Sequence, residues 1–452
     1  MSGPSAAVGA GPYRLFERFG VELEYMIVDR QTLAVRPITD QVLHAVTGRG
    51  GYRHRFRGRK RCQSQPPERV QAPFSRTKAV PAPADADVDG LTWSNELVLH
   101  VIELKTAAPA PRLAGLAEQF QQGVRRVNGI LAPLGALLMP SAMHPWMDPH
   151  TETRLWPHEC SGIYATFDRV FNCQGHGWSN LQCVHLNLPF ADDAEFGRLH
   201  AAIRLLLPIL PALAASSPII DGRPTGFADT RLEVYRGNAR RIPSVAGRVI
   251  PEPVFTTRGY EERILQRIYR DLAPHDPEGV LQHEWANARG AIARFERNTI
   301  EIRVIDVQEC PQADLALLRL VVAVLQALVA ERWCSYAEQC AWPVEPLEQV
   351  FLDAIRSGDQ AVIRNPAYLH ALGLTGAESC TAGELWRHLF DALLPADDGR
   401  PADLAPLDVI LAEGCLSRRI LRALDGDARR ARIDAVYREL CACLTEGRML
   451  RA

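Results

Sequence analysis

The sequence has no apolar run long enough to span a bilayer. Leu205 to Ala215 follows Arg204 and contains Pro208 and Pro211, and Leu320 to Ala330 is closed off by Arg319 and Glu331. Both fall short of the roughly 20 residues a spanning helix needs, so they read as buried helices. Charge excess is lacking too: 51 Lys and Arg against 53 Asp and Glu leave a formal net charge of −2. Nucleic-acid and membrane-surface binders usually carry a marked basic excess, so neither partner is expected. The eleven cysteines contain no CxxC pair, and Cys441-Ala442-Cys443 reads as helix packing, not a metal hook. Met1 to Pro12 is small and polar, without a basic segment leading into an apolar one. It reads as a frayed tail (residues 1–12) and not as a secretory signal, which predicts a cytoplasmic protein with reduced thiols. No internal repeat is found.

What is present begins with Gly20-Val21-Glu22-Leu23-Glu24-Tyr25-Met26-Ile27-Val28-Asp29. Phe19, Val21, Leu23 and Tyr25 alternate with Glu22 and Glu24, the period of a β-strand. The two carboxylates then share a face, roughly 6–7 Å apart, and repel unless cations sit between or beside them. Taken alone, the stretch reads better as a half-exposed edge strand with a solvated acidic face.

Further along, Gln41 to Val46 reads as a short helix. Residues 48–86 are Arg- and Pro-rich, with the basic cluster Arg53-His54-Arg55-Phe56-Arg57-Gly58-Arg59-Lys60-Arg61. A solvated, disordered insertion accounts for this stretch better than a nucleic-acid or nuclear-address segment in an otherwise balanced chain. Trp93 to Thr106 is β-rich, Arg112 to Leu134 helical and Leu137 to Ala142 a strand. Pro157 to Phe171 predicts a short helix, Leu181 to Phe190 a strand and Asp193 to about Ala215 a long internal helix. Thr225 to Pro253 reads as an active-site loop or a surface connection. Ala291 to Phe295 and Thr299 to Val307 predict a hairpin across Arg297-Asn298, Ala313 to Arg332 a buried helix, and residues 336–452 a helical C-terminal part.

The strands offer a set of polar residues: Glu22 and Glu24; Glu96 and Glu103; His185, flanked in alternation by Cys183 and Asn187; and Glu301 with Arg303. Carboxylates and an imidazole on facing strands suit hard divalent cations such as Mg²⁺, which take oxygen ligands and keep substrate phosphates in their shell. Arg303 would suit a phosphate oxygen, because its fork matches that geometry and stays charged. Glu96 and Glu103 are an odd number of residues apart, so a regular pleat would oppose them. Either a bulge intervenes or Glu96 sits on a loop. Singly, His185 reads more often as a hydrogen-bonded core histidine than as a ligand, and Glu301-x-Arg303 more often as a same-face salt bridge; His100 and His144 read as structural.

In their order, Gly20 to Glu24, Asn95 to Thr106, His185-Leu186-Asn187 and Thr299 to Arg303 resemble the strands of the glutamate–cysteine ligase family 2, carboxylate–amine ligases of the glutamine synthetase-like superfamily. The resemblance covers roughly residues 14–46 and 90–335. It implies an α+β fold, with a curved antiparallel sheet packed with helices in a catalytic domain over 13–335, which holds ATP and two or three Mg²⁺ (or Mn²⁺) ions. It implies that Glu24, Glu96 and Glu103 gather around one metal, that Glu22, His185 and Glu301 hold another beside the nucleotide, and that Arg303 steadies the γ-phosphate. Arg231 and Arg236 are candidates for gripping a substrate carboxylate. The implied reaction converts a carboxylate (the γ-carboxylate of glutamate) to an acyl phosphate that an amine such as cysteine displaces, so the partners are small molecules; a homo-oligomer is compatible. A phosphotransferase on the same scaffold and a non-catalytic nucleotide-binding protein are the alternatives. The basic segment 48–86 is the departure from the family pattern.

Overall fold

The computed structural model describes residues 12–47, 82–394 and 401–451. The basic cluster Arg53 to Arg61 lies outside the described residues. The Arg/Pro-rich stretch extends less far than its composition suggests, because Asp85 and Ala86 already belong to a strand.

Eight strands form the main sheet: β1 (Gly20–Asp29), β2 (Asp85–Val88), β3 (Leu91–Asn95), β4 (Val101–Thr106), β5 (Ala136–Met139), β6 (Cys183–Pro189), β7 (Ala291–Arg294) and β8 (Thr299–Asp306). Their order is β2-β3-β4-β1-β6-β8-β7, with β5 added to β1. Every pairing is antiparallel. β1 is the hub: β4 runs along one edge, while β6 takes Gly20 to Leu23 and β5 takes Met26 to Asp29 on the other. Val21, Leu23, Tyr25 and Ile27 are fully buried in one apolar core. Each such side chain contributes about 1.5–3 kcal/mol, which fixes the register and turns Glu22 and Glu24 to the opposite face.

Helices α1 (Thr39–Thr47), α2 (Leu116–Leu131) and α3 (Asp193–Leu206) contribute to the apolar core, α4 (Thr230–Asn238) lies beside the end of β8, α5 (Pro311–Val329) joins the core, and α6 (Leu416–Leu424) and α7 (Arg430–Glu446) follow near the C-terminus. Asp192 caps α3 by accepting from the Glu195 N–H at 2.9 Å. The predicted long helix stops at Leu206, where Pro208 and Pro211 give a 3₁₀ turn and a short helix, Leu210–Ala214. The helices run longer than the apolar runs read from the sequence: Asp193–Ala214 and Pro311–Val329 are long and apolar enough to cross a membrane by composition, but 94% and 72% of their apolar windows are buried, as in internal helices.

α4 departs from the expectation of an irregular loop over Thr225 to Pro253. Asp229 starts it by accepting from the Leu232 N–H at 2.8 Å. Its sequence, Thr-Arg-Leu-Glu-Val-Tyr-Arg-Gly-Asn, has no apolar stripe to betray it. α6 and α7 pack on Met26, Val28 and Met139 in a second apolar cluster. A fully buried ion pair, Arg419 with Glu309, ties α6 to the segment after β8. The Leu450 N–H donates to the same Glu309 at 3.2 Å, and Arg419 donates to the Leu450 carbonyl at 3.0 Å. Among the described residues nine cysteines are free thiols, and Cys441 and Cys443 are buried in α7.

Candidate active site

The antiparallel register lines up the polar face in three rows. Ser94 on β3 faces Glu103 on β4, which faces Glu24 on β1. One step along, Lys105 faces Glu22, which faces His185 on β6. In the third row Gly20 faces Asn187, which faces Glu301 on β8. A Cβ on Gly20 would sit 2.9 Å from the Asn187 Cβ, so the absence of a side chain there lets β1 and β6 close up beside the site. Glu96 lies in the connection between β3 and β4, outside any pleat, which resolves its odd spacing from Glu103. The connection returns its carboxylate to the sheet: oxygens of Glu24, Glu96 and Glu103 lie within 4.8 Å of one another, as do ligand atoms of Glu22, Glu103 and His185.

Hydrogen bonds fix each group. Glu24 Oε2 accepts from the Cys183 N–H at 2.8 Å. His185 Nδ1 lies 3.1 Å from Glu22 Oε2, and Asn187 donates to Glu22 Oε1 at 3.3 Å. Glu103 Oε2 accepts from the Ser94 hydroxyl at 2.5 Å and from Lys105 Nζ at 2.6 Å. Glu301 gives one oxygen to Arg294 at 2.8 Å and the other to Arg303 at 2.9 Å. Arg303 also donates to the Asn287 carbonyl at 3.4 Å, while its Nε has no hydrogen-bond partner among the described residues. The β8–β6 register shifts between Ile302 and Ile305. This extra residue changes the phase of the strand, so that Ile305 joins the core beside Val184 and Asp306 falls in line with Cys183.

Burial and charge pull the site's pKa values apart. Burial raises the Glu24 carboxyl, and Glu103 reinforces that rise against the pull of His185. Burial also pushes Glu22 up, but the hydrogen bond and charge of His185 outweigh it and hold Glu22 below the usual carboxylate range. His185 is raised well above its ordinary value: burial opposes its charge, but Cys183, Glu22 and Glu301 overcome it. Glu301 is held down to about 2, because Arg303, Arg294 and His185 overcome the effect of burial. Four carboxylates thus converge with one ammonium and one imidazole in a buried setting. Such a donor set fits hard divalent cations, since cationic charge between the carboxylates relieves their mutual repulsion.

The structure therefore brings together Glu22, Glu24, Glu96, Glu103 and His185, with Glu301 and Arg303 in the adjoining row. Arg231 is 1% exposed and paired with Asp306, donating also to the Arg303 carbonyl at 3.4 Å. That geometry suits positioning β8 more than touching a substrate. Arg236, on α4, pairs with Glu233 at 2.9 Å and is about two-fifths exposed. Lys105, Ser94, Cys183 and Arg294 are members that the sequence reading did not assign. Period two from Glu103 points to Lys105, and the β7–β8 hairpin register points to Arg294; Ser94 has no comparable signal. A separate cleft of about 360 Å³, which includes Ser244, Arg248, Glu252 and Arg289, contains none of these carboxylates.

Comparison with known proteins gives the family and the fold. A protein of Archaeoglobus fulgidus, functionally uncharacterized, is 33% identical over 360 residues, 80% of this chain and 89% of its own. A protein of Nocardioides sp. provisionally named glutamate–cysteine ligase 2-1 is 26% identical, with 94% of this chain and 96% of its own covered. The fold resembles the glutamate–cysteine ligase of Francisella tularensis, solved in complex with AMP, with a TM-score of 0.57 and 11% identity over 94% of this chain and 88% of that one. A bifunctional glutathione synthetase from Pasteurella multocida superposes with a TM-score of 0.52 and 13% identity, covering 95% of this chain and 52% of that one. The protein is an ATP-dependent carboxylate–amine ligase of the glutamate–cysteine ligase type. It belongs to glutamate–cysteine ligase family 2, whose family model matches residues 18–439.

Proposed function

We propose that this enzyme phosphorylates the γ-carboxylate of glutamate, or of a similar acid, and joins it to the amine of cysteine or a comparable small molecule. The observation that carries this reading is the convergence of Glu22, Glu24, Glu96, Glu103 and His185 on one sheet face. The AMP held by the structurally similar ligase of Francisella tularensis supports a nucleotide as ligand. Mg²⁺ (or Mn²⁺), when bound, neutralises charge on the triphosphate.

Glu24, Glu96 and Glu103 would hold one such ion, and Glu22 with His185 a second, with Glu301 in the row beside them. Glu301 orients Arg303, whose partly exposed guanidinium would meet a γ-phosphate oxygen. The acid's carboxylate oxygen then attacks the γ-phosphorus, the bond to ADP breaks, and an acyl phosphate results. The amine attacks the acyl carbon, phosphate leaves, and the nitrogen loses a proton to give the amide. The chain's contribution is position and charge, so no covalent nucleophile is needed.

The test is incubation with ATP, Mg²⁺, glutamate and a panel of amines, with products identified by mass spectrometry. Condensation product with ADP and phosphate, dependent on both substrates, is expected. A phosphorylated acid that accumulates without any amine would mark a phosphotransferase instead, and no ADP with any acid would overturn the reading.

A further inference from the structure

Cys183 stands among the oxygen ligands without a place in the proposed reaction. Its Sγ lies 3.1 Å from His185 Nε2 and 3.3 Å from Glu24 Oε2, and His185 Nε2 lies 4.0 Å from Glu24 Oε1. All three residues are buried, and their ligand atoms fall within 4.8 Å of one another. A tetrahedral zinc ion with Zn–S of about 2.3 Å and Zn–N and Zn–O of about 2.0–2.2 Å spaces its ligand atoms about 3.3–3.6 Å apart. The two Cys183 separations fall within about half an ångström of this spacing, and the His185–Glu24 separation, which runs to the other carboxylate oxygen, is longer by about 0.4–0.7 Å. The second partner of the imidazole also fits. Nδ1 is engaged by Glu22 Oε2 at 3.1 Å, which orients Nε2 toward the thiol. A carboxylate behind a histidine is the usual support for a zinc-bound imidazole.

We propose that Cys183, His185 and Glu24 form a thiolate–imidazole–carboxylate site for a borderline-soft divalent cation such as Zn²⁺, overlapping the oxygen-rich Mg²⁺ groups. Sulfur and nitrogen donors favour Zn²⁺ over Mg²⁺, and the fourth position is left to water or a substrate oxygen. Binding releases the Cys183 thiol proton to solvent and forms a metal–sulfur bond; nothing is oxidised or reduced. An ion held there withdraws Glu24 and His185 from the Mg²⁺ groups, so bound zinc excludes magnesium from these two residues.

The proposal shares two residues with the proposed function, and its test uses no nucleotide, substrate or turnover, so the two readings fail separately. Metal-free full-length protein is titrated with Co²⁺, a spectroscopic substitute for Zn²⁺. The expected result is a thiolate-to-cobalt charge-transfer band with tetrahedral visible bands, saturating at one equivalent and displaced by Zn²⁺ but not by excess Mg²⁺. Cys183→Ser is expected to abolish the charge-transfer band and weaken Zn²⁺ binding at least about tenfold, whereas Cys441→Ser/Cys443→Ser retains both. No charge-transfer band in the wild-type protein, or an unchanged Zn²⁺ affinity in folded Cys183→Ser, overturns the proposal.

Discussion

Replacing Glu24 by Gln should move stability and activity in opposite directions. Gln keeps the shape and an oxygen that accepts from the Cys183 N–H, but it removes one buried negative charge. Glu24 oxygens lie within 4.8 Å of those of Glu96 and Glu103. At that distance each repulsion is worth about 3 kcal/mol with an effective dielectric near 20. Against this stands the attraction of His185, whose Nε2 is 4.0 Å from Glu24 Oε1, worth about 4 kcal/mol on the same scale. The balance favours the neutral side chain by up to about 3 kcal/mol. Partial protonation of Glu24, whose pKa burial raises, reduces that gain. Without metal, Glu24→Gln is therefore expected to melt a few degrees above the wild type in scanning calorimetry. With Mg²⁺ and ATP the order reverses, because a ligand at 100 times its Kd adds about 2.7 kcal/mol to the protein that still binds it. Turnover should fall at least about 100-fold. A lower metal-free melting temperature, or equal stabilisation of both proteins by Mg²⁺ with undiminished turnover, would refute the reasoning.

Arg303→Met leaves Glu301 paired with Arg294 but removes the cation offered to the transferred phosphate; kcat should drop by about 10²–10³ with a smaller change in KM for ATP, measured by ADP release. Arg419→Met strands the buried Glu309 carboxylate and should cost about 3–5 kcal/mol in urea unfolding, whereas Arg419→Met/Glu309→Met should recover most of it. His100, His144 and His200 are buried, and burial depresses them from 6.5 to about 4, 3 and 3 respectively. They stay neutral in the folded protein but take up protons when it unfolds, so their contribution is complete above pH 6.5 and is lost as the pH falls toward 4. At pH 5 each costs about 2 kcal/mol, and denaturant midpoints measured from pH 8 to 4 should fall most steeply below 6.5.

Much of this site was legible because it lies on strands. Period two alone placed Glu22 and Glu24 together and paired Glu301 with Arg303, and apolar alternation set the register of β1. The phase changes were not legible. Glu96 leaves the pleat in a connection whose course depends on a bridge between Val98 and Leu155, and the β8 bulge turns Asp306 back toward the polar face. Neither leaves a local mark in the sequence. α4 escaped for a related reason: its start is a single cap, and its polar faces pair with the surrounding protein instead of repeating an apolar period. Arg231 and Arg236 are candidates in sequence for gripping a substrate carboxylate, yet Asp306 and Glu233 already meet them.

The central position of β1 carries a consequence for biosynthesis. Its first half finds a partner on one edge in β4, but the other edge waits for β6, about 160 residues further along the chain. At about 5–20 residues per second the ribosome takes roughly 8–30 s to supply it. Throughout that interval Gly20 to Leu23 presents unsatisfied amide and carbonyl groups beside an apolar stripe, an invitation to intermolecular strand addition. The nascent polypeptide should therefore engage a holding chaperone through its earliest segment, and slowing translation ahead of residue 183 should lower the soluble yield.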